Sequence, residues 1–309
     1  MMSGRLYIDN IDAYAEFGVY VVEGGWNDLV AFPPLKAVDS NDWQEFDGIE
    51  ADLSAPVLNS RDVQLKLAIA RHFSGFLLLI DLLSDGAYHT FNCASIQRTY
   101  TLRLVSQPNL AKARLVGSAT LRLADDFPMS GYTYAAPSSD VIEADDYMID
   151  DVPFTDYGVR VLQGTLDEVL KTPNVKPLLL RNVRSQQGAL YDSGGNVTYK
   201  SKDVKLYCLL RAETLTEMWR NYDALLYDLI RPDERTLYVD ELDHEFPFHY
   251  KSCQVTEFYP SGKLWLQFTL TVTFTTEFII GDIRTCLATE DGSIVLTEDG
   301  VFAIDLLVW

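Results

Sequence analysis

Ser60-Arg61-Asp62-Val63-Gln64-Leu65 occurs a second time in altered form, as Ser201-Lys202-Asp203-Val204-Lys205-Leu206. Both copies read Ser-basic-Asp-Val-polar-Leu. Both run on into apolar residues, Lys66-Leu67-Ala68-Ile69-Ala70 after the first and Tyr207-Cys208-Leu209-Leu210 after the second. Other landmarks keep the same order at nearly the same offset. Phe17-Gly18-Val19-Tyr20-Val21-Val22-Glu23-Gly24 pairs with Tyr157-Gly158-Val159-Arg160-Val161-Leu162-Gln163-Gly164, 140 positions later. Ile8-Asp9 pairs with Ile149-Asp150, Gly48 with Gly188, and Asp126-Phe127 with Glu277-Phe278. Landmarks in one order, with an offset that grows slowly through loop insertions, mark a duplicated domain.

The composition supports two such domains. The chain has 309 residues, 48% of them hydrophobic and 12% aromatic, enough for each half to bury its own core. Its formal net charge of −20 opposes adhesion of the whole surface to nucleic acid or to an anionic membrane. Cys93, Cys208, Cys253 and Cys286 are scattered, with no C-x-x-C pair, and read as buried free thiols. Met1-Met2-Ser3-Gly4-Arg5 lacks the apolar core of a signal peptide, and the apolar run Phe76–Ile80 is short and ends at Asp81. The expectation is a soluble protein without a secretory route.

Along the chain, residues 1–128 form the first module, 129–148 a linker, 149–280 the second module, and 281–309 a tail. In the first module Val63, Leu65, Leu67 and Ile69 alternate at period two, a strand with one buried face. Phe46-Asp47-Gly48-Ile49 reads as a turn between extended pieces, and Phe73 to Leu83 as a helix. Two alternating strands follow, Tyr100 to Val105 and Ser118 to Leu123, with Pro108-Asn109 taken as the turn between them. The linker is rich in Pro, Gly, Ser and acidic residues, and little of it suits a packed core. In the second module Leu215, Met218, Trp219, Tyr222, Leu225, Leu226 and Leu229 recur at helical spacing up to Pro232. The closing strands are Lys251 to Phe258 and Leu264 to Phe278. Thr289-Glu290-Asp291-Gly292 and Thr297-Glu298-Asp299-Gly300 flank short apolar runs in the tail and predict a small β-meander. The fold class is therefore mainly β with α (α+β): two tandem β-sandwich-like modules, each with one main helix and a long β-hairpin.

Residues with chemical potential are few. Asp243, His244, Glu245 and His249 lie close together, but the spacing is not H-E-x-x-H and Pro247 argues against a helix. Gly24-Gly25 and Gly194-Gly195 lack the pattern that cradles phosphate. The Thr-Glu-Asp-Gly turns lack the oxygen spacing of an EF-hand. Asp62 and Asp203 could be offered as an acid/base pair, yet each stands beside a basic residue at a strand start, where fixing a turn or pairing with the adjacent Arg61 or Lys202 accounts for it. No catalytic, metal or cofactor residue is assigned.

The arrangement of two such modules resembles the phage tail-tube fold. Leu6-Tyr7-Ile8-Asp9, then Phe17-Gly18-Val19, and the Ser60–Leu65 element resemble the N-terminal domain of siphophage distal tail and baseplate hub proteins. The resemblance implies a non-enzymatic ring subunit of a tail tip or baseplate, made in the bacterial cytoplasm and carried in the virion. Such a ring surrounds the DNA exit channel and joins the tube to the host-recognition apparatus. The implied partners are copies of itself, as a trimer or hexamer, and tube, tape-measure, hub or receptor-binding proteins. In that picture the long hairpins pair edge to edge between neighbours. A distal tail protein carries a galectin-like second domain, whereas here the second module repeats the first. Two other readings stay open: a carbohydrate-binding β-sandwich using Trp26, Trp43 and Tyr132-Thr133-Tyr134, and an enzyme with a pocket of convergent polar groups.

Overall fold

The computed structural model describes residues 5–70, 73–112, 116–144, 146–177, 180–182, 184–185, 187–191 and 197–278. The expected meander of 281–309 and the turn at 192–196 lie outside these.

The first module opens with β1 (Leu6–Ile8) and β2 (Ile11–Asp12), joined through Asp9 and Asn10 at φ 48° and 68°. A turn with two left-handed residues matches the twist of a hairpin, and Asp and Asn tolerate that conformation. Asp12 caps the short helix α1 (Ala13–Phe17) by accepting from the Tyr14 and Ala15 amides, and Gly18 ends it at φ 69°. Then come β3 (Val19–Val21), α2 (Asn27–Val30), and an arm made of β4 (Ser40–Asn41) and β5 (Glu50–Ala51). The module closes with β6 (Arg61–Ile69), α3 (Phe73–Leu83), β7 (His89–Cys93), β8 (Arg98–Lys112) and β9 (Gly117–Asp125).

The second module runs β10 (Tyr147–Ile149), β11 (Val152–Pro153), a 3-10 turn at Phe154–Tyr157, β12 (Val159–Val161) and α4 (Thr165–Leu170). After β13 (Leu180–Arg181) and β14 (Leu190–Tyr191) come β15 (Lys202–Ala212), α5 (Leu215–Leu229), β16 (Arg235–Val239), β17 (His244–Tyr259) and β18 (Leu264–Phe274).

The two modules have one plan. Each carries a seven-stranded antiparallel sheet, in the order β2-β1-β7-β8-β9-β6-β3 and, strand for strand, β11-β10-β16-β17-β18-β15-β12. The fold is mainly β with α. Val63, Leu65, Leu67 and Ile69 are buried on one face of β6, and Val204, Leu206, Cys208 and Leu210 on the matching face of β15. Fully burying side chains of this kind is worth about 1.5–3 kcal/mol each, which is what holds the helices to the sheets. The Thr214 hydroxyl caps α5 by accepting from the Glu217 amide.

Several expectations are corrected. Pro108-Asn109 is not the hairpin turn: both lie within β8, where the register slips between Ser106 and Asn109. A bulge takes a residue that lacks an N–H, so Pro need not end the strand. β7 and β16 are strands that alternation alone did not mark, and β17 begins at His244 rather than Lys251. The last strand ends at Phe274. Register pairs Arg61 with Asp125 and Lys202 with Phe274, so Asp125 answers to Phe274 and the match of Asp126-Phe127 to Glu277-Phe278 is two residues out of step. The linker has neither helix nor strand from Tyr132 to Glu143, yet it is strapped along α5: the Ser138 amide donates to Asn221 Oδ1, and Asn221 Nδ2 donates back to the Ser138 carbonyl.

Candidate assembly interface

The largest set of specific contacts that is not internal to one module joins the first module to the second. Helix α5 presents Trp219 and Tyr222 to the first module. The Trp219 indole N–H donates to the Ile96 carbonyl at 2.6 Å, and the Arg98 guanidinium lies 4.2 Å from the ring centroid. Phe32 stacks on Tyr222 at 4.0 Å. Arg98 also donates to both oxygens of Asp223, at 2.6 and 2.5 Å. Burial raises the Asp223 carboxyl against the opposing pull of Arg98. Around these groups lies a cleft of about 480 Å³, lined in part by Arg61, Tyr100 and Asp125. Its charged side chains are closed on one another, Arg98 on Asp223 and Arg61 on Asp125. The Arg98–Asp223 pair joins the modules, Arg61–Asp125 lies within the first, and among the described residues both carboxylates of the cleft are engaged by a guanidinium.

A second set of contacts clamps the open edge of β17. β16 pairs with β17 only as far as Phe248. Beyond it the Leu35 amide donates to the Lys251 carbonyl, Asn27 Nδ2 to the Thr256 carbonyl, and the Tyr250 hydroxyl to the Pro33 carbonyl. The modules thus meet through α2 and the segment after it, not by hairpins pairing edge to edge, because the edge of β17 is already covered by these groups.

A third set is the β4–β5 arm, which reaches over the second module. Lys176, 1% exposed, donates to the carbonyls of Trp43, Phe46 and Gly48 at 2.7, 2.8 and 2.7 Å, and pairs with Asp42. The Gly48 amide donates to the Tyr199 carbonyl and the Ile49 amide to the Thr275 carbonyl. A Cβ on Gly48 would lie 1.6 Å from the Thr275 oxygen, so only glycine allows the arm to lie this close. Lys176 and Arg98 were not singled out in the sequence. The signal existed for Lys176, since Pro173-Asn174-Val175-Lys176 repeats the frame of Pro33-Pro34-Leu35-Lys36.

The residues weighed for chemistry are placed as follows. Asp62 accepts from Arg122, and Asp203 from Lys251 and Thr273, all cross-strand partners, so neither pairs with the adjacent Arg61 or Lys202. Side chains alternate along a strand, which sends the neighbour to the opposite face. His244 lies beside Glu277, His249 Nδ1 faces the Tyr250 carbonyl, and Asp243 accepts from the Tyr238 hydroxyl. Among the described residues no His, Cys, Asp and Glu cluster is placed to hold a metal. Gly24 stands at φ 69° before α2, and its Cβ would meet only the distant end of Asn27. Trp26 is buried in the core, Trp43 rides on the arm, and Tyr132 and Tyr134 pack on Tyr227 of α5. The aromatic candidates for a sugar platform therefore sit on three separate elements. Cys93 and Cys208 are buried, Cys253 is half-buried, and burial lifts the Cys253 thiol to about 12. Cys286 lies outside the described residues. No described helix is long and apolar enough to cross a membrane.

No protein-family model matches the chain, and no curated protein does. Among solved structures it is similar to SPP1 Dit, a hub adsorption apparatus protein of phages that infect Gram-positive bacteria. The likeness covers 88% of this chain and 99% of that one at 12% identity, with a TM-score of 0.33, too loose to carry an argument.

Proposed function

We propose that the chain is a structural, non-catalytic subunit of a phage or prophage tail tip or baseplate, building a ring around the DNA exit channel and linking the tube to the host-recognition apparatus. The observation that carries this reading is internal: one chain holds two sheets of identical strand order, joined side by side through specific contacts rather than by a flexible tether. A repeat joined to its own copy in this way offers a contact that a ring would use again between chains, and closure is what stops a head-to-tail contact from growing into a filament. The long strands of the two closing hairpins match in length, 15 and 9 residues in the first module against 16 and 11 in the second. Matched hairpins favour a trimer with alternating modules, a pseudo-six-fold ring, over a hexamer in which one module only decorates the outside. Native mass spectrometry of the purified chain and class averages of the particle test this. A closed trimer is the expected result; a monomer at high concentration with no ring in the virion overturns it.

A further inference from the structure

Because the strand orders match, each group at the junction between modules has a counterpart on the far side of the other module. Aligned on their first residues, the buried Phe76, Leu79 and Leu83 of α3 fall on the buried Met218, Asn221 and Leu225 of α5, with Leu77 at the place of Trp219 and Ile80 at that of Tyr222. Trp219 and Tyr222 are buried beneath the first module, whereas Leu77 is 54% exposed and Ile80 half-buried; Leu78, at the place of Arg220, is 57% exposed. The bulge after Leu104 in β8 matches the bulge after Tyr250 in β17, which puts Val105 at the place of Lys251. The Lys251 carbonyl accepts from the Leu35 amide while the lysine side chain stays exposed and pairs with Asp203; Val105, at that place in the first module, is 44% exposed. The covering groups repeat too. Leu35 bridges to Leu58 as Val175 bridges to Tyr199, and Val175 is 49% exposed. Gly48 is pressed on the Thr275 backbone, while a Cβ on Gly188 would meet nothing within 4 Å.

We propose that the side of the first module carrying Leu77 and the Val105 carbonyl is the docking surface for the second module of another copy, which seats its Val175 amide on the Val105 carbonyl as the Leu35 amide sits on that of Lys251. The occupant is fixed by the chain itself: the same face on the second module is already covered, and what covers it has a free equivalent. Leu77 and Leu78 beside the Val105 site, and Val175 opposite, are exposed apolar side chains that such a contact would take out of water. The contact is heterologous, so each copy offers one donor and one acceptor face. This inference deepens the ring reading and rests on it for the identity of the assembly.

The test uses Leu77→Asp with Leu78→Asp as an acceptor-dead chain and Val175→Asp as a donor-dead chain, each followed by sedimentation over a concentration series. All three positions are exposed, so thermal melting of the isolated chain should be unchanged. Wild-type protein is expected to form closed rings, each variant alone to associate at least 100-fold more weakly, and an equimolar mixture of the two to stop at a one-to-one dimer through the faces left intact. If both variants assemble like wild type, this face is wrong and the ring reading survives. If neither associates alone but the mixture gives no dimer, the head-to-tail pairing is overturned. Wild-type protein that remains monomeric overturns both readings. Should the double variant fail to fold, Val175→Asp decides by itself, its retained association refuting the proposal and its loss supporting it.

Discussion

Arg61 and Lys202 do the same work in the two modules with different charge partners. Arg61 donates to the carbonyls of Leu29 and Ala31 at the end of α2, and Lys202 to those of Val169 and Lys171 at the end of α4. A cation on the last carbonyls of a helix satisfies acceptors that have no partner within it and complements its dipole. The repeated Ser-basic-Asp-Val motif therefore locks a short helix to the start of β6 in one module and of β15 in the other. Arg61 is neutralised by Asp125 at 2.6 Å. In the second module Phe274 stands at that place, and the Lys202 ammonium lies 5.5 Å from its ring centroid. Burial without a touching carboxylate holds that lysine down to about 8.

Exchanging the two solutions tests this directly. Asp125→Phe alone strands a buried guanidinium and should cost about 3–5 kcal/mol of unfolding free energy. In an Arg61→Lys background the same substitution reproduces the pair found in the second module and should cost at least about 1 kcal/mol less. Chemical denaturation of the four chains measures the coupling. Simple additivity would show that Arg61 and Asp125 are not a unit.

Gly48 and Gly188 are the same turn position, at φ 71° and 82°, but only Gly48 is packed. Gly188→Ala should then cost about 1–2 kcal/mol, the strain of a left-handed alanine, when measured at dilution where copies are apart. Gly48→Ala adds the collision with Thr275 and should cost about 1–3 kcal/mol more. It should also lift the arm, opening Trp43 and Phe46 to chymotrypsin. Equal costs and equal cleavage would refute the packing account.

The duplication was legible because its landmarks are backbone requirements. Gly18 and Gly158 end a helical turn at φ 69° and 66°, and Asp9 and Asp150 open hairpins at φ 48° and 47°, so residue choice is narrow there. What could not be read is the meeting of the modules. Trp219 and Tyr222 look like the core stripe of an amphipathic helix, and nothing in one dimension says that Ile96 and Phe32 cover them from the other module. The false match of Asp126-Phe127 to Glu277-Phe278 arose because Asp125 became Phe274, removing the polar landmark that would have set the register. The helix-end role of Arg61 and Lys202 was hidden for a related reason, since its acceptors are backbone carbonyls and leave no trace in residue type.

The net charge of −20 carries its own prediction. The proposed channel wall would need to repel DNA, and an excess of carboxylates over cations supplies repulsion rather than counterion release from phosphates. The assembled protein should show no retardation of duplex DNA even near 50 mM salt, with any dissociation constant weaker than the roughly 10⁻⁴–10⁻⁶ M of non-specific binders. Tight association at low salt, measured by anisotropy, would defeat the repelling-wall account.

The hairpin turns after β1 and β10 are held by different charge partners, a histidine in the first and an arginine in the second. The Asp9 carboxylate accepts from the Thr90 amide and pairs with His89 at 2.6 Å; the Asp150 carboxylate accepts from the Thr236 amide and pairs with Arg235 at 2.8 Å. Burial works to lower the His89 pKa, but its bonds to Asp9 and Asp85 outweigh that and leave it above the ordinary 6.5. A histidine whose folded pKa is raised adds stability that is fully present below 6.5 and is lost as pH climbs through the folded value. Burial raises Asp9, yet the His89 and Thr90 bonds bring it below 3.8 overall, so its share is present above 3.8 and lost as pH falls through the folded value. A guanidinium stays charged across both ranges. The first module's turn should therefore loosen on going from pH 6 to pH 9 while the second stays put. Hydrogen exchange at the Thr90 and Thr236 amides, corrected for intrinsic rates, reads the two sites in one sample. Asp9→Asn should drop the His89 pKa by NMR titration and abolish the pH dependence at Thr90; loss of protection at both amides in step would show that the turns do not respond separately.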